Sequence, residues 1–168
     1  CDIVVLETGM GGLQDATNLI TTTQVAVLAS ISMDHMKFLG NSLREIAAQK
    51  AGIIKEGCEV VSMAQTAEAM EVVERAAKDK HCTLYIADAS LAKNIRYGVE
   101  KQRFNYENFK KLEIGLAGKF QIANAVLAVK TIEVLGQKGF PVSEKALRKG
   151  LKETVWQGRF SVIGKKPL

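Results

Sequence analysis

The feature that most restricts the fold of this chain is an alternation, in its first half, between short apolar runs and stretches with helical spacing. The apolar runs are unbroken and rich in Val and Ile, and they span residues 2–7, 25–30, 59–64 and 83–87. Such runs are typical of strands covered on both faces of a parallel sheet. Residues 42–54 and 66–80 have the spacing of helices. The alternation therefore predicts βαβ units and a parallel sheet.

The second half has a different pattern. Apolar residues alternate with polar neighbours at period two from residue 95 to residue 116, which predicts an antiparallel meander. A long helix is expected over 118–137, apolar on most sides and therefore buried, and a shorter helix begins after Ser143 and ends near Gly150. A last strand is expected from Phe160 to Ile163. The predicted fold class is thus α/β, a mostly parallel sheet flanked by helices with a small antiparallel meander.

Composition narrows the class of protein. A chain of 168 residues with 47% hydrophobic residues can bury one core, and one globular domain is expected. No apolar run approaches the ~18 residues of a membrane span, and the N-terminus lacks the layout of a signal peptide. We therefore expect a cytoplasmic protein with no membrane partner.

The cysteine spacing and the charge distribution argue against a disulfide-stabilised protein and against a nucleic-acid-binding protein. Cys1, Cys58 and Cys82 are odd in number and show no CxxC spacing, so reduced thiols without a functional role are expected. The formal charge of +5 is scattered along the chain, and only residues 93–119 are locally basic. A solvated face explains that stretch, and no nucleic-acid partner is expected.

Ligands of parallel sheets bind beyond the carboxyl ends of strands, and two segments occupy such positions. The first, ETGMGG at 7–12, places a carboxylate before three glycines. The dinucleotide pattern GxGxxG fails because Gln14 stands where the last glycine belongs, so the segment is either a ligand-binding loop or an ordinary glycine-rich turn. The second, SMDH at 32–35, offers Asp34 and His35. With Glu7 they could converge on Mg²⁺, although a lone His is also a common hydrogen-bonded structural residue.

Two polar residues interrupt apolar helical patterns. Lys50 falls within a helical stripe of apolar side chains, so its amine either extends to the edge or is held near other groups. That stripe consists of Leu43, Ile46, Ala47, Ile53 and Ile54. Asn124 stands in the long apolar helix, where a buried amide needs hydrogen-bond partners. Arg159, just before the last predicted strand, suits a phosphate or carboxylate, or is simply exposed. We assign no function to His81.

These features stand in the order of the motifs of folylpolyglutamate and dihydrofolate synthases, which are Mur-ligase-type enzymes, and the chain resembles that family over nearly its whole length. The segments that carry the resemblance are DIVVLETGMGGLQDATN (2–18), SMDH (32–35), LREIAAQKAGIIKEG (43–57), GKFQIANAVLA (118–128) and WQGRF (156–160). The resemblance implies a Mur-ligase-type P-loop ATPase domain. It also implies an ATP-dependent ligase that joins L-glutamate to dihydropteroate or folate through an acyl phosphate.

The resemblance also implies roles for particular residues. Glu7 and His35 would help hold Mg²⁺ at the phosphates of ATP. In the complete enzyme Lys50 would be carbamylated and support the metal site, whereas in this chain a free amine is expected. Lys50 and His35 are the residues implied in catalysis. We expect Lys50 to be mostly buried and to point toward Glu7 and His35.

The remaining roles concern the two substrates. Asn124 and Arg159 would contact the nucleotide. Asp15 and Ala16, in the segment DATN, would lie near the pterin of the folate.

The chain departs from the family pattern in several places. Leu13 with Gln14, Gln49 and Phe120 replace residues that are usual in relatives, and the sequence contains neither a GxxGKGS-type phosphate loop nor a DGAHN-like segment. We therefore expect residues 1–168 to be a partial ATP-binding domain, without its phosphate loop and its glutamate-binding domain, cut from a monomeric parent. On its own it is expected to lack ligase activity. A different Mur-type ligase and a non-catalytic binding module derived from one are the alternatives.

Overall fold

The structure is a computed structural model that describes residues 2–156. The chain divides into two compact units, Cys1–Ile86 and Ala87–Leu168. Each unit is built on a different kind of sheet.

The first unit is built on a three-stranded sheet in the order β1-β2-β3. Its strands are β1 (Val25–Leu28), β2 (Glu59–Met63) and β3 (Leu84–Ala87). β1 and β2 run parallel, with Val25 opposite Glu59 and Leu28 opposite Ser62. The connections are helical: α1 (Met36–Leu39) and α2 (Leu43–Ala51) lie between β1 and β2, and α3 (Ala67–Asp79) lies between β2 and β3. The predicted βαβ alternation is confirmed.

Local signals explain where these helices begin and which face they bury. Ser42 caps α2, because its Oγ accepts a hydrogen bond from the Glu45 N–H at 3.2 Å. The Glu45 carboxylate in turn accepts from the Asn41 N–H at 2.6 Å. α3 buries Ala69, Val73 and Ala77, which stand four residues apart and therefore share one face. This face packs into the core of the unit together with Ile46, Ala47 and Val60.

The strand predicted over residues 2–7 is wrong. In the described part of the chain these residues form no strand, and Val5 is 91% exposed. An apolar run becomes a buried strand only when another strand pairs with its backbone and other elements cover its faces. Composition supplies the apolar side chains but not those neighbours.

The second unit begins with the predicted antiparallel meander. Its strands are β4 (Lys93–Arg96), β5 (Gln102–Tyr106) and β6 (Phe109–Ile114), in the order β4-β5-β6. On β5 the side chains of Gln102, Phe104 and Tyr106 are buried and that of Arg103 is exposed, as alternation at period two requires. The buried Gln102 donates from Nε2 to the carbonyls of Leu116 at 2.7 Å and Gly118 at 2.9 Å.

Two helices complete the second unit, α4 (Phe120–Gln137) and α5 (Glu144–Glu153). Ser143 caps α5, since its Oγ accepts from the Ala146 N–H at 3.2 Å, as predicted. α4 buries one broad face rather than most of its surface, and Phe120 remains 61% exposed. The strand predicted at 160–163 lies outside the described residues. Across residues 2–156, no helix is both long and apolar enough to span a membrane.

Candidate functional site

The glycine-rich segment after residue 8 packs against the C-terminal end of α2. The Leu13 N–H donates to the Gln49 carbonyl at 2.8 Å. A Cβ atom on Gly12 would lie 2.7 Å from the Gln49 carbonyl oxygen and 2.9 Å from that of Lys50. A Cβ atom on Gly52 would lie 2.5 Å from the Cα of Leu13. Glycine is therefore required at both positions, because the two backbones approach too closely for a side chain.

Asp15 organises the segment that follows. Its carboxylate accepts hydrogen bonds from Thr17 Oγ1 at 2.7 Å, from the Thr17 N–H at 3.0 Å and from the Met10 N–H at 2.9 Å. It thereby caps the short 3₁₀ turn Ala16–Leu19. These bonds, the one from the Thr17 hydroxyl foremost, lower the pKa of Asp15 to about 2. Asp15 is thus an anion whose oxygens shape the loop, and the adjacent Ala16 is exposed.

Asn18 ties this loop to the residues after α2. Its Nδ2 donates to the carbonyls of Leu13 at 3.0 Å and Gly52 at 3.1 Å. The ammonium of Lys55 donates to the Asn18 carbonyl at 2.9 Å. We call residues 9–19 together with residues 49–55 the loop–helix junction. The sequence motifs included both segments, but they did not predict that the segments contact each other or that Asn18 and Lys55 make that contact. The available signal was the pair of glycines at positions 12 and 52, because glycine allows two backbones to approach closely.

Glu7 and His35 are both exposed. His35 begins α1 in a left-handed backbone conformation with φ of 50°, and its Nε2 lies 3.6 Å from the Asp34 carboxylate. The Asp34 carboxylate also accepts from the His35 N–H at 2.7 Å. Within residues 2–156, no three side chains of His, Cys, Asp or Glu come close enough to hold a metal ion. The structure therefore does not gather Glu7, Asp34 and His35 into a three-ligand site, and a site with two protein ligands stays a prediction.

Lys50 lies in the last turn of α2 and most of its surface is covered, which agrees with the prediction that it is mostly buried. Its apolar neighbours behave as expected, since Ile46 and Ala47 are fully buried. A lysine at the margin of an apolar face can bury its methylene groups and keep its amine accessible. The direction of its amine relative to Glu7 and His35 stays a prediction.

The expectation of a buried amide at Asn124 is wrong. Asn124 is exposed, and its Nδ2 donates to Gln121 Oε1 at 3.0 Å. The buried face of α4 includes Ile122, Ala125 and Val129, whose spacing of three and four places Asn124 away from the core. Gln121, which sequence reasoning passed over, is the buried amide of this helix. Arg159 lies outside the described residues.

Comparisons with known proteins identify relatives of this chain. The family model described as the Mur ligase middle domain matches residues 1–132. The dihydrofolate synthase/folylpolyglutamate synthase of Bacillus subtilis is 34% identical over 173 residues, which cover 99% of this chain and 40% of that protein. The folylpolyglutamate synthase of Lacticaseibacillus casei is 35% identical, with 99% and 40% covered.

Solved structures agree with these sequence matches. The FPGS–AMPPCP–folate complex superimposes with a TM-score of 0.88 at 32% identity, covering 96% of this chain and 41% of that one. The chain thus spans about 40% of the length of the curated relatives it matches.

Proposed function

Since the chain belongs to the Mur ligase middle domain family, we propose that it is the ATP-binding part of an ATP-dependent ligase that adds L-glutamate to dihydropteroate or folate. The names of the two curated relatives support this class of substrate. The similar FPGS structure is a complex with folate and with AMPPCP, an analogue of ATP. This supports ATP and folate as the ligands in the proposal. The predicted domain extent, residues 1–168 as a partial ATP-binding domain, is part of this proposal.

The loop–helix junction is the observation that carries the proposal. The segments DATN and QKAGIIK are more than 30 residues apart along the chain, since the contact of Asn18 with Gly52 spans 34 residues. Both segments carry the resemblance to folate ligases. Asn18 joins them by donating to the Gly52 carbonyl and accepting from Lys55, and Leu13, just before DATN, donates to the Gln49 carbonyl. A loop proposed to face the folate and fixed to the helix that bears Lys50 supports the proposal, because a ligase must hold its reactants in place.

The proposed reaction has two steps. A carboxylate oxygen of the pteroate or folate attacks the γ-phosphorus of ATP, and ADP leaves. The amine of glutamate then attacks the carbonyl carbon of the acyl phosphate, loses a proton, and displaces inorganic phosphate to give the amide. Holding the reactants in place is the protein's main contribution to such phosphoryl transfer.

The described residues have distinct proposed tasks. The anionic Asp15 shapes the loop and leaves the exposed Ala16 as a wall for the pterin. Lys50 would act as a carbamate beside the metal site, and His35 would act with it. Asn124, on the exposed side of α4, would contact the nucleotide together with Arg159.

Glu7 and His35 are suited to a partial Mg²⁺ site. Mg²⁺ is usually bound through one or two carboxylates, with water and phosphate oxygens completing its shell, and histidine is a less usual ligand for so hard an ion. Both side chains are exposed and so are accessible to an ion. The ion would neutralise charge on the phosphates of ATP.

A direct test is a ligase assay on the complete protein that carries this chain. ATP and L-glutamate are supplied with dihydropteroate, with folate, or with a cell-wall precursor, and mass spectrometry follows the addition of one glutamyl residue. Product with either pterin supports the proposal. Product only with the cell-wall precursor supports a different Mur-type ligase, and binding of AMPPCP and folate without turnover supports a non-catalytic module.

The two histidines of the chain provide a matched pair of variants for the metal role. His35→Ala should raise the Mg²⁺ concentration needed for half-maximal activity by about tenfold or more. His81→Ala should not, because His81 is an exposed residue paired with Glu56. Identical Mg²⁺ titrations of the two variants would contradict the assignment of His35.

A further inference from the structure

Two of the three cysteines meet in the folded chain, although their spacing in sequence gave no sign of it. The Sγ atoms of Cys58 and Cys82 lie 3.8 Å apart across 24 residues. Cys58 directly precedes β2 and Cys82 stands two residues before β3, and these two strands are neighbours in the sheet. Both side chains are free thiols.

The two thiols differ in access. Cys58 belongs to the core of the first unit and is 2% exposed, whereas Cys82 packs at the edge of that core and is partly exposed. A dissolved oxidant can therefore reach Cys82 but not Cys58. This is the usual asymmetry of a reactive thiol and the resolving thiol behind it.

We propose that Cys58 and Cys82 form an oxidisable dithiol site that closes to an intramolecular disulfide by exchange with a small disulfide such as glutathione disulfide. The Cys82 thiolate attacks one sulfur of glutathione disulfide, and one glutathione thiolate leaves. The Cys58 thiolate then attacks Cys82 Sγ, and the second glutathione leaves. The protein loses two protons and two electrons, and glutathione disulfide is reduced to two molecules of glutathione.

The separation of the sulfurs suits this closure. A disulfide bond is about 2.05 Å long, so the two atoms must approach by roughly 1.8 Å. Rotation of the two side chains with a small backbone adjustment supplies a movement of that size.

The surroundings also set the pH range of the reaction. Burial, and next the adjacent Cys58, raise the pKa of the Cys82 thiol to about 11. Because the thiolate is the attacking species, closure should accelerate about tenfold for each pH unit between pH 7 and pH 9.

The dithiol site adjoins the loop–helix junction. Cys82 Sγ lies 3.1 Å from the Lys55 carbonyl and 3.3 Å from the Lys80 carbonyl, so its single S–H can donate to either, and the side chain of Lys55 donates to the carbonyl of Asn18. Oxidation removes the S–H donor and so removes one contact of Lys55. A redox change at the dithiol site therefore reaches the loop proposed to face the folate through a single residue.

The test uses a Cys1→Ser background, which leaves only the pair. The folded chain is incubated with glutathione disulfide at pH 8.5, quenched in acid and digested with trypsin, which places Cys58 in peptide 56–75 and Cys82 in peptide 81–93. We expect these two peptides to be cross-linked, and we expect the ratio of cross-link to glutathione adduct to be about tenfold higher, or more, in the folded chain than in the same chain in urea, because the fold holds Cys58 beside the adduct on Cys82. The oxidised chain should show a Tm on the order of 10 °C higher, reversed by dithiothreitol.

A second variant tests the order of attack. Cys58→Ser should stop at a glutathione adduct on Cys82, because the resolving thiol is missing. Glutathione adducts without a cross-link in the chain that retains both cysteines, or a ratio of cross-link to adduct no higher in the folded state than in urea, would overturn the proposal. Since that comparison uses the unaltered pair, it stands even if Cys58→Ser fails to fold.

Discussion

The loop–helix junction of the first unit and the meander with α4 in the second unit are held together in opposite ways. At the junction, two backbones touch at positions where a side chain is missing, since a Cβ on Gly52 would fall 2.5 Å from Leu13. In the second unit, large side chains fill the core, with Phe104 and Tyr106 each 1% exposed. The ammonium of Lys130 adds ion pairs to Glu107 at 2.8 Å and Glu133 at 2.9 Å.

The difference determines which changes each region tolerates. Adding atoms should damage the junction, because there is no space between the backbones. Removing atoms should damage the second unit, because its stability depends on filled volume and on satisfied charges.

Phe104→Ala should have the largest effect. It removes a fully buried ring from β5, and the loss of apolar burial together with the cavity should lower the free energy of unfolding by about 3–5 kcal/mol. Urea denaturation measures the change. The matched control is Phe120→Ala, since Phe120 is 61% exposed and its loss should change stability little. Equal losses for the two variants would contradict the picture of a unit held by its filled core.

Gly52→Ala should destabilise the first unit by about 2–3 kcal/mol, because the new methyl group meets the backbone of Leu13, which cannot move aside like a flexible side chain. Gly150→Ala is the matched control in the second unit. Gly150 lies inside α5 with open space around it, so alanine there should stabilise by about 0.5–1 kcal/mol through its higher helix propensity. Opposite signs in urea denaturation support the contrast, and equal signs refute it.

Lys130→Met should cost about 1–2 kcal/mol. Burial disfavours the ammonium, but the hydrogen bonds that it donates to Glu107 and Glu133 outweigh that effect and raise the pKa of Lys130. Methionine keeps the apolar stem and leaves the two carboxylates without their cation. The control Lys149→Met removes an ion pair at 3.8 Å whose lysine is 70% exposed, and it should leave the urea midpoint unchanged. If the two variants change the stability equally, the ion pairs of Lys130 contribute no more to stability than an exposed ion pair does.

Asp15→Asn should lower stability at neutral pH, where the carboxylate contributes, and should have little effect near pH 2. The pKa of Asp15 in the folded chain is about 2, below the value of about 3.9 expected for an unfolded chain, so the carboxylate stabilises the fold above about pH 4 and this contribution is lost as the pH falls toward 2. Asparagine should therefore flatten the pH dependence of stability between pH 4 and pH 2, measured by thermal unfolding.

Asp88 provides the comparison in the other unit. It caps the 3₁₀ turn Ala89–Leu91 through Ser90 in the way that Asp15 caps its own turn through Thr17, and its pKa is likewise lowered by those bonds. Asp15 has an additional donor in the Met10 N–H. Asp88→Asn should consequently flatten the acid dependence less than Asp15→Asn, and the reverse order would show that the Met10 contact is unimportant.

The sequence by itself determined the elements whose signals are local. Ser42 and Ser143 marked the starts of α2 and α5, apolar runs marked β1, β2 and β3, and alternation at period two marked the meander. Capping, helical spacing and strand alternation involve residues within a few positions of one another, so they can be recognised in the sequence alone. The motif segments also indicated the family that the Mur ligase match then showed.

Only the tertiary structure decided which surfaces meet. Residues 2–7 carry strand composition and form no strand, and Asn124 stands in an apolar helix yet faces outward. The contact of Asn18 with Gly52 and the approach of Cys58 to Cys82 join positions 34 and 24 residues apart. Such contacts depend on how elements pack and on the rotation of each helix against its neighbours, and neither quantity is encoded in the spacing of nearby residues.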